Sequence, residues 1–232
     1  DSAHARLDAS VMMKTRYLIH WSIAYNARQS FQWHSMLRLE DLQIPNVEAV
    51  NLTLVPGECL GLSGESGCGK TRLLRAIADM DEHGGQVYAD DVAQDQVKAH
   101  EWRRRVALLP AESLWWFDTV GQHFSAHQKH IEALGFNSDV MEWNVSRCSS
   151  GEKQRLSVLR MLANCPRVLL LDEPTANLDA SNTERVENLV GDYLKEHNAF
   201  AIWVSHDSSQ LQRVSRRQYL FSHGQLVNVD ET

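Results

Sequence analysis

The segment that most constrains the fold is Gly64–Thr71, whose sequence GESGCGKT has the pattern G-x-x-x-x-G-K-T. Glycines let the backbone curl until successive N–H groups point at one anion, and a following helix adds its positive N-terminal end. Lys70 supplies an ammonium group for the β- and γ-phosphates, and Thr71 supplies a hydroxyl for Mg²⁺. The pattern therefore predicts a phosphate-binding loop made of Gly64, Glu65, Ser66, Gly67, Cys68, Gly69, Lys70 and Thr71.

The sequence on both sides of this loop favours nucleotide binding over the alternative, a glycine-rich turn that binds nothing. Residues 58–62 form a short apolar run that is suited to a buried strand. After the loop, Leu73, Leu74 and Ile77 recur at helical spacing. A strand that enters the loop and a helix that leaves it are the structural context that this motif requires.

A second motif consists of the apolar run Val168–Leu171 followed by Asp172 and Glu173. A run of this kind is typical of a strand buried in the centre of a parallel sheet, and ligands bind at the carboxyl ends of such strands. Asp172 is placed to hold Mg²⁺, directly or through water. Glu173 is placed to orient or deprotonate the water that attacks the γ-phosphate.

A third motif, residues 148–155 with the sequence CSSGEKQR, is a small polar turn that opens a helix. Leu156, Leu159 and Leu162 lie on one face of that helix. A helix N-terminus of this kind suits a phosphate, although an ordinary N-cap serine is the commoner role of such a turn. Its position just before the acidic strand, in a chain that already has a phosphate loop, favours phosphate binding.

Taken in order, these motifs resemble those of the ATP-binding subunits of ABC transporters over residues 37–229. Gly64–Thr71 is similar to the Walker A motif of that family, and residues 168–173 to its Walker B motif with the catalytic glutamate. Residues 148–152 resemble the L-S-G-G-Q signature. Residues 176–179 (ANLD) resemble the D-loop, and residues 203–207 (WVSHD) the strand that leads to the switch histidine.

The resemblance implies an α/β fold: a P-loop NTPase core with a mainly parallel sheet, an N-terminal antiparallel β portion and an inserted helical subdomain at about residues 111–155. It also implies a head-to-tail dimer in which each ATP lies between Walker A of one chain and Ser149 and Gly151 of the other. In that arrangement Glu173 is the general base, His206 contacts the γ-phosphate and Asp179 helps to form the dimer contact. The implied partners are a second ATP-binding subunit, in a homodimer or a heterodimer, and a separate transmembrane permease on whose cytoplasmic side the chain sits.

Three departures from the family pattern bear on coupling and on base recognition. Ala111 holds the place of a glutamine that contacts Mg²⁺ and senses the membrane partner, and Glu112 follows it. Residues 42–46 contain no aromatic residue to stack on adenine. The signature has Cys148 for leucine and Ser150 for its first glycine. Because Lys70, Asp172, Glu173 and His206 are unaffected, we expect a working ATPase.

Composition narrows the partners and the compartment. The formal net charge is −7, and it is −9 without residues 1–35, which carry four basic and two acidic side chains, so nucleic acid is not expected as the main partner. No apolar run approaches the ~18 residues needed to span a bilayer, so another chain would supply the membrane path. The four cysteines lack metal-type C-x-x-C spacing, which favours a reduced, cytosolic setting.

Two further segments lead to expectations. Residues 1–35 look foreign to the rest. An upstream sequence translated in error, a cloning remnant or a mobile tail is favoured over a functional N-terminal extension, and the ATPase domain is placed at residues 36–232. At least one of Trp115, Trp116 and Phe117 should be exposed and available to a partner, because three adjacent aromatic residues cannot all face one core. A solvated polar face is favoured over a metal site for His123, His127 and His130, which are spaced i, i+4, i+7.

Other functions use the same motifs less completely. A soluble ABC-type ATPase of repair, translation or assembly usually has two cassettes or a long coiled-coil insert. A P-loop kinase for a small metabolite has no use for residues 148–152. A non-catalytic nucleotide-binding regulator is favoured by Ala111 but not by the intact Glu173 and His206.

The coarse pattern predicts strands within 37–62, at 106–109 and at 199–205, helices at 70–80, 181–196 and 207–214, and a hairpin at 217–229.

Overall fold

Two β-sheets form the frame of the protein, whose computed structural model describes residues 36–124 and 130–229. The first sheet is antiparallel, in the order β2-β1-β4-β5. Its strands are β1 (Leu37–Gln43), β2 (Val50–Leu54), β4 (Gly84–Ala89) and β5 (Val92–Ala93). This sheet confirms the expected N-terminal antiparallel portion. The predictions for residues 1–35 and for His127 lie outside the described residues.

The second sheet has the order β10-β9-β3-β8-β7-β6 and is parallel except for the closing hairpin of β9 and β10. Its strands are β3 (Cys59–Gly64), β6 (Val106–Leu109), β7 (Val168–Asp172), β8 (Phe200–Val204), β9 (Arg217–Ser222) and β10 (Gln225–Asn228). The mainly parallel core is therefore confirmed. Because β3, β8 and β7 are parallel neighbours, their carboxyl ends meet at one edge of the sheet.

Alternating residues of β7 and β8 separate two hydrophobic cores. Val168, Leu170 and Ile202 pack in the core that also contains the antiparallel sheet. Leu169 and Leu171 pack on the opposite face. Successive side chains of a strand point to opposite faces, so a strand that is apolar at every position is buried on both sides. The parallel sheet is thus the middle layer of the molecule.

The helices cover the two faces of this middle layer. They are α1 (Lys70–Ile77), α2 (Ala99–Arg105), α3 (Ser150–Leu162), α4 (Ala180–His197) and α5 (Ser208–Val214). The predicted helices at 70–80, 181–196 and 207–214 are confirmed within a few residues at each end. Within the part of the chain that the structure describes, no helix is both long and apolar enough to cross a bilayer.

The segment between β6 and α3 is built differently from its predicted helical pattern. Its described residues form short 3₁₀ turns, and α-helix begins only at Ser150. Local geometry limits these turns: Gly135 ends one of them in the left-handed conformation at φ 77°, and Asn144 caps another by accepting a hydrogen bond from the backbone of Ser146. Runs of 3₁₀ helix stay short because side chains three residues apart eclipse one another.

Candidate nucleotide site

The phosphate loop joins β3 to α1 at the carboxyl edge of the parallel sheet. Gly64 has φ 147° and Gly69 has φ 121°, conformations that other residues rarely adopt. A Cβ atom at Gly69 would lie 3.1 Å from the ring of Phe221, and one at Gly64 would lie 3.0 Å from the sulfur of Cys68. Both glycines are therefore required by the packing beneath the loop as well as by its backbone.

The Lys70 side chain folds back over the loop that precedes it. Its Nζ atom donates hydrogen bonds of 2.8 Å to the carbonyl oxygens of Gly64 and Glu65 and lies 3.8 Å from the sulfur of Cys68. Only 7% of the residue is exposed. A buried ammonium group is thus held at the mouth of the loop, where phosphate oxygens can replace carbonyl oxygens as its partners.

Thr71 and Asp172 meet although they are far apart in sequence. The Thr71 hydroxyl donates a 2.8 Å hydrogen bond to Oδ2 of Asp172, and Asp172 is buried. A hydroxyl and a carboxylate are the oxygen ligands that Mg²⁺ takes beside phosphates. The structure therefore brings together the two residues that the sequence assigns to the metal.

Glu173 and His206 follow β7 and β8 and approach each other across the same edge. The Nε2 atom of His206 lies 3.2 Å from Oε1 of Glu173. These two atoms form no hydrogen bond, and Oε1 is buried without a hydrogen-bond partner among the described residues. Burial raises the pKa of Glu173, and Asp172 raises it further, whereas His206 and Lys70 act in the opposite direction. The carboxylate is therefore a stronger base than an exposed glutamate.

The signature turn satisfies its own hydrogen bonds. Ser149 is the N-cap of α3: its hydroxyl accepts a 3.2 Å hydrogen bond from the backbone of Glu152, and its N–H donates one of 2.8 Å to Oε2 of Glu152. The hydrogen bond from the Ser149 backbone lowers the pKa of Glu152, and so does one of 2.9 Å that the Ser149 hydroxyl donates to the same Oε2. The reciprocal hydrogen bonds between Ser149 and Glu152 form a capping box. Neither residue contacts the phosphate loop of its own chain in the described hydrogen-bond network.

The D-loop packs against this turn. A Cβ atom at Gly151 would lie 3.2 Å from the Leu178 side chain and 3.4 Å from the carbonyl oxygen of Asn177. Asp179 is exposed and is the N-cap of α4, where its carboxylate accepts hydrogen bonds of 2.8 and 2.9 Å from Asn182. Ser149 and Gly151 thus lie where the signature turn meets the residues just before Asp179, and no hydrogen bond of the described residues joins these three residues to Lys70 or Glu173.

The structure also shows the surroundings of Ala111, of the aromatic run 115–117 and of His123. Ala111 and Glu112 are exposed just after β6. Trp116 is 64% exposed and Phe117 47%, which confirms that the aromatic run cannot be buried as a whole. His123 differs from the predicted solvated face, because its Nε2 accepts hydrogen bonds from the backbones of Trp116 and Phe117 and its Nδ1 lies 3.0 Å from the carbonyl oxygen of Thr119.

Three residues of the site have no role in the sequence interpretation. Phe221 is fully buried beneath the phosphate loop, and Gln154 and Gln210 are buried behind Glu173. Gln154 lies within residues 148–155, which the sequence analysis singles out, but nothing in that segment indicates that its side chain is buried. Nothing in the sequence around Phe221 or Gln210 distinguishes these two residues from ordinary strand and helix positions. A cavity of about 870 Å³ beside α4 contains no phosphate-loop residue.

A glycine-rich loop at a helix N-terminus, a Thr–Asp oxygen pair and a half-buried glutamate define a P-loop nucleoside triphosphatase. A family model described as "ABC transporter" matches residues 47–176. The aliphatic sulfonates import ATP-binding protein SsuB of Pseudomonas entomophila (strain L48) is 32% identical over 210 residues, which cover 87% of this chain and 73% of that protein. The probable iron export ATP-binding protein FetA of Escherichia coli (strain K12) is 28% identical over 181 residues, 72% of this chain and 80% of that protein.

A solved structure agrees in fold. The ATP-binding cassette MJ0796, in a dimeric post-hydrolysis state bound to ADP and Pi, superposes with a TM-score of 0.72 at 21% identity and covers 82% of this chain and 96% of that chain. The chain belongs to the ABC transporter family. It is an ATP-binding subunit of that family, whose members hydrolyse ATP, as the sequence motifs predict.

Proposed function

We propose that this chain hydrolyses Mg-ATP as part of a head-to-tail dimer and thereby drives a separate transmembrane permease. The observation that carries the proposal is the buried Oε1 of Glu173, which has no hydrogen-bond partner in the described chain. It lies next to the Thr71–Asp172 pair at the edge that holds the phosphate loop. An unsatisfied basic oxygen at this edge is suited to accept a proton from water.

Different residues of the site would bind the phosphates, hold the metal ion and transfer the proton. The loop from Gly64 to Thr71 and the ammonium of Lys70 bind and orient the phosphates. Thr71 and Asp172 would hold Mg²⁺, which neutralises charge on the β- and γ-phosphates when it is bound. Glu173 takes a proton from the attacking water, and His206 donates a hydrogen bond toward the γ-phosphate from beside Oε1.

A second subunit completes the site. Ser149 and Gly151 form no hydrogen bond with their own phosphate loop among the described residues, and Asp179 at the start of α4 follows the residues that pack on Gly151. The N-terminus of α3 presents a hydroxyl and backbone N–H groups that suit the γ-phosphate of a partner's ATP. A second copy of this chain is the simplest partner, because one copy carries both halves of the site.

The permease would bind at an exposed apolar surface near the end of β6, here called the aromatic surface: Leu114, Trp116 and Phe117. Leu114 is 79% exposed. Arg160 packs against this surface. Its Nη1 atom donates a 3.0 Å hydrogen bond to the Leu114 carbonyl, and its guanidinium stacks over Trp115 and Trp116. Exposed, rigidly held Trp and Phe side chains are typical of interface anchors.

In this proposal the chain sits on the cytoplasmic face of the inner membrane, and the permease makes the membrane contact. The similar proteins named above include one described as an import protein and one described as an export protein. Cargo and direction therefore belong to the permease, and this chain supplies the nucleotide chemistry.

The test is to purify the chain from membranes with its associated proteins and to measure the phosphate released to water. We expect a membrane protein to co-purify, and Trp116→Ala to reduce its recovery several-fold. The matched control is Leu220→Ala, which shortens another apolar side chain that is 40% exposed. Equal recovery with Trp116→Ala would contradict the docking surface, and phosphate transfer to an acceptor other than water would contradict the ATPase.

A further inference from the structure

Two buried glutamines hold the turn that follows β7. On one side, Gln154 of α3 donates a 3.1 Å hydrogen bond from Nε2 to the carbonyl oxygen of Pro174. On the other side, Gln210 of α5 donates a 2.8 Å hydrogen bond to the Thr175 hydroxyl. Gln154 is 7% exposed and Gln210 is 3% exposed. Buried amides are costly unless they are hydrogen-bonded, so both contacts fix the turn strongly.

Gln210 is itself held by its surroundings. Its Nε2 atom also donates a 2.9 Å hydrogen bond to Glu187, and its Oε1 accepts one of 3.3 Å from the indole of Trp203. Glu187 is in turn paired with Arg213 at 2.8 Å. The Thr175 hydroxyl is therefore attached to a network that spans α4, β8 and α5.

The turn after β7 contains a residue in an unfavourable backbone conformation. Glu173 has φ 51°, which places a residue with a Cβ atom in the left-handed region. Its backbone N–H donates to the Val204 carbonyl at 3.2 Å, and its own carbonyl accepts from Ala176 at 3.1 Å. Such a conformation persists only where the surrounding structure determines it, and it sets the direction in which the side chain points.

We propose that Gln154 and Gln210 are positioning residues for Glu173. Gln154 and Gln210 anchor Pro174 and Thr175, the two residues after Glu173. They thereby keep the Glu173 carboxylate directed at the phosphate edge, which is the carboxyl edge of the parallel sheet that carries the phosphate loop and Asp172. The inference rests on the proposed function, in which Glu173 is the general base. It also connects that base to other parts of the site: α3 begins at the signature turn after Ser149, and α5 begins just after His206.

The experiment compares variants of the full chain in its purified complex. Gln154→Met keeps the length of the side chain and removes the donor. Thr175→Val removes the hydroxyl at constant shape, and Thr175→Ser restores it. The matched control is Gln94→Met, because Gln94 is 6% exposed and donates a 3.3 Å hydrogen bond to the Ala76 carbonyl, away from Glu173.

We expect kcat for ATP hydrolysis to fall about 10- to 100-fold in Gln154→Met and Thr175→Val, since small misplacements of a catalytic group have effects of this size. KM for Mg-ATP should stay within about twofold, because the phosphate loop is untouched. Thr175→Ser should recover most of kcat. Gln94→Met should lower the melting temperature as much as Gln154→Met does and leave kcat unchanged.

The inference is overturned if Gln154→Met and Thr175→Val keep the parental kcat, or if Gln94→Met lowers kcat equally. Glu173→Gln is measured beside them to separate the two levels of the argument. If Glu173→Gln is inactive while the other variants keep full activity, the positioning role alone is wrong. If Glu173→Gln itself keeps the parental rate, the proposed function is wrong. Should Gln154→Met fail to fold, the Thr175 pair decides the question.

Discussion

In the proposed function the phosphate edge and the signature turn both bind phosphate, but their polar groups are held in different ways. At the phosphate edge, the end of β7 supplies Asp172 and Glu173, and other segments supply their partners. Thr71 of the phosphate loop donates a hydrogen bond to Asp172, and His206, after β8, lies 3.2 Å from Glu173. At the signature turn, Ser149 and Glu152 satisfy each other within three residues. The first region is organised by the sheet and the second by a single helix. A chain with this division presents one prepared half-site on each of two surfaces.

The difference also concerns burial. Asp172 is buried, and burial raises the pKa of Glu173. Ser149 and Asp179 are exposed. The first surface therefore holds a base of raised pKa, and the exposed groups of the second surface are available for the reversible contact with a partner that we propose. Each substitution below alters one surface and leaves the other unchanged, and the remaining predictions concern the unaltered chain.

The largest effect is expected for Glu173→Gln at the phosphate edge. Loss of the general base should lower kcat about 10²–10⁴-fold, equivalent to about 3–5 kcal/mol of barrier, while ATP still binds and ATP-dependent dimerisation becomes stronger. Steady-state phosphate release measures the rate, and Glu82→Gln, on the surface, is the matched control. Hydrolysis close to the parental rate in Glu173→Gln would remove the role assigned to this residue.

The same base predicts a pH dependence for the parental chain. Glu173 must be deprotonated to accept a proton, and its pKa is raised by burial. As the pH falls through that raised pKa, kcat should decline, and the decline should begin above the range of an exposed glutamate, whose pKa is about 4.3. A rate profile from pH 5 to pH 8 measures the acidic limb. A profile that stays flat down to the ordinary glutamate range would contradict this environment for Glu173.

A change at the signature turn should have a smaller effect. Ser149→Ala removes the N-cap, which costs about 0.5–2 kcal/mol of stability. It also removes the hydroxyl that would face the partner's phosphate in the proposed dimer. We expect ATP-dependent dimerisation to weaken about tenfold, the equivalent of ~1.4 kcal/mol, with unchanged ATP binding to the single chain. Asn144→Ala, which removes a cap from a nearby 3₁₀ turn, is the control. Sedimentation of the two variants with and without Mg-ATP distinguishes them.

Base recognition should be weak, since residues 42–46 offer no aromatic ring. Stacking is worth about 1–3 kcal/mol per base, so without it the phosphates carry most of the affinity. We expect GTP to compete with ATP within about tenfold. Competition binding measures the ratio, and an ATP preference of several hundredfold would show that another residue covers the base.

The smallest effect concerns Cys68 in the phosphate loop. Burial, together with Glu58, raises the pKa of Cys59 to about 12, which keeps that thiol protonated, whereas Cys68 is half-buried beside Lys70. Cys68 should therefore be alkylated faster than Cys59, and Mg-ATP should protect it. The exposed Cys165 serves as the internal control. Equal labelling of Cys68 with and without nucleotide would remove it from the phosphate site.

The two regions also differ in how much of their structure could be predicted from the sequence. The phosphate loop, β7 and the acidic pair were predictable because glycine conformation, strand burial and parallel topology are local or follow from simple rules. The capping box of Ser149 and Glu152 follows from an S-x-x-E pattern and could have been read directly. Residues 111–149 were harder, because apolar spacing near 3.6 does not separate an α-helix from a series of 3₁₀ turns.

The buried glutamines could not be inferred from pattern. Gln154 and Gln210 lie in helices, where glutamine is usually exposed, and their partners Pro174 and Thr175 come from a turn that is distant in sequence. Only the packing of α3 and α5 behind that turn brings them together. Polar contacts of this type depend on tertiary structure, and they are the part of the site that the sequence interpretation lacked.

The most direct test of the central claim, that two subunits complete each ATP site, is complementation between Lys70→Ala and Ser149→Arg chains. Each variant alone should be inactive, because every site of its dimer contains a lesion. In an equal mixture, half of the dimers carry one intact site, so hydrolysis should recover to about one quarter of the parental rate. A mixture that stays as inactive as its components, or a Ser149→Arg chain that hydrolyses ATP normally by itself, would contradict the account.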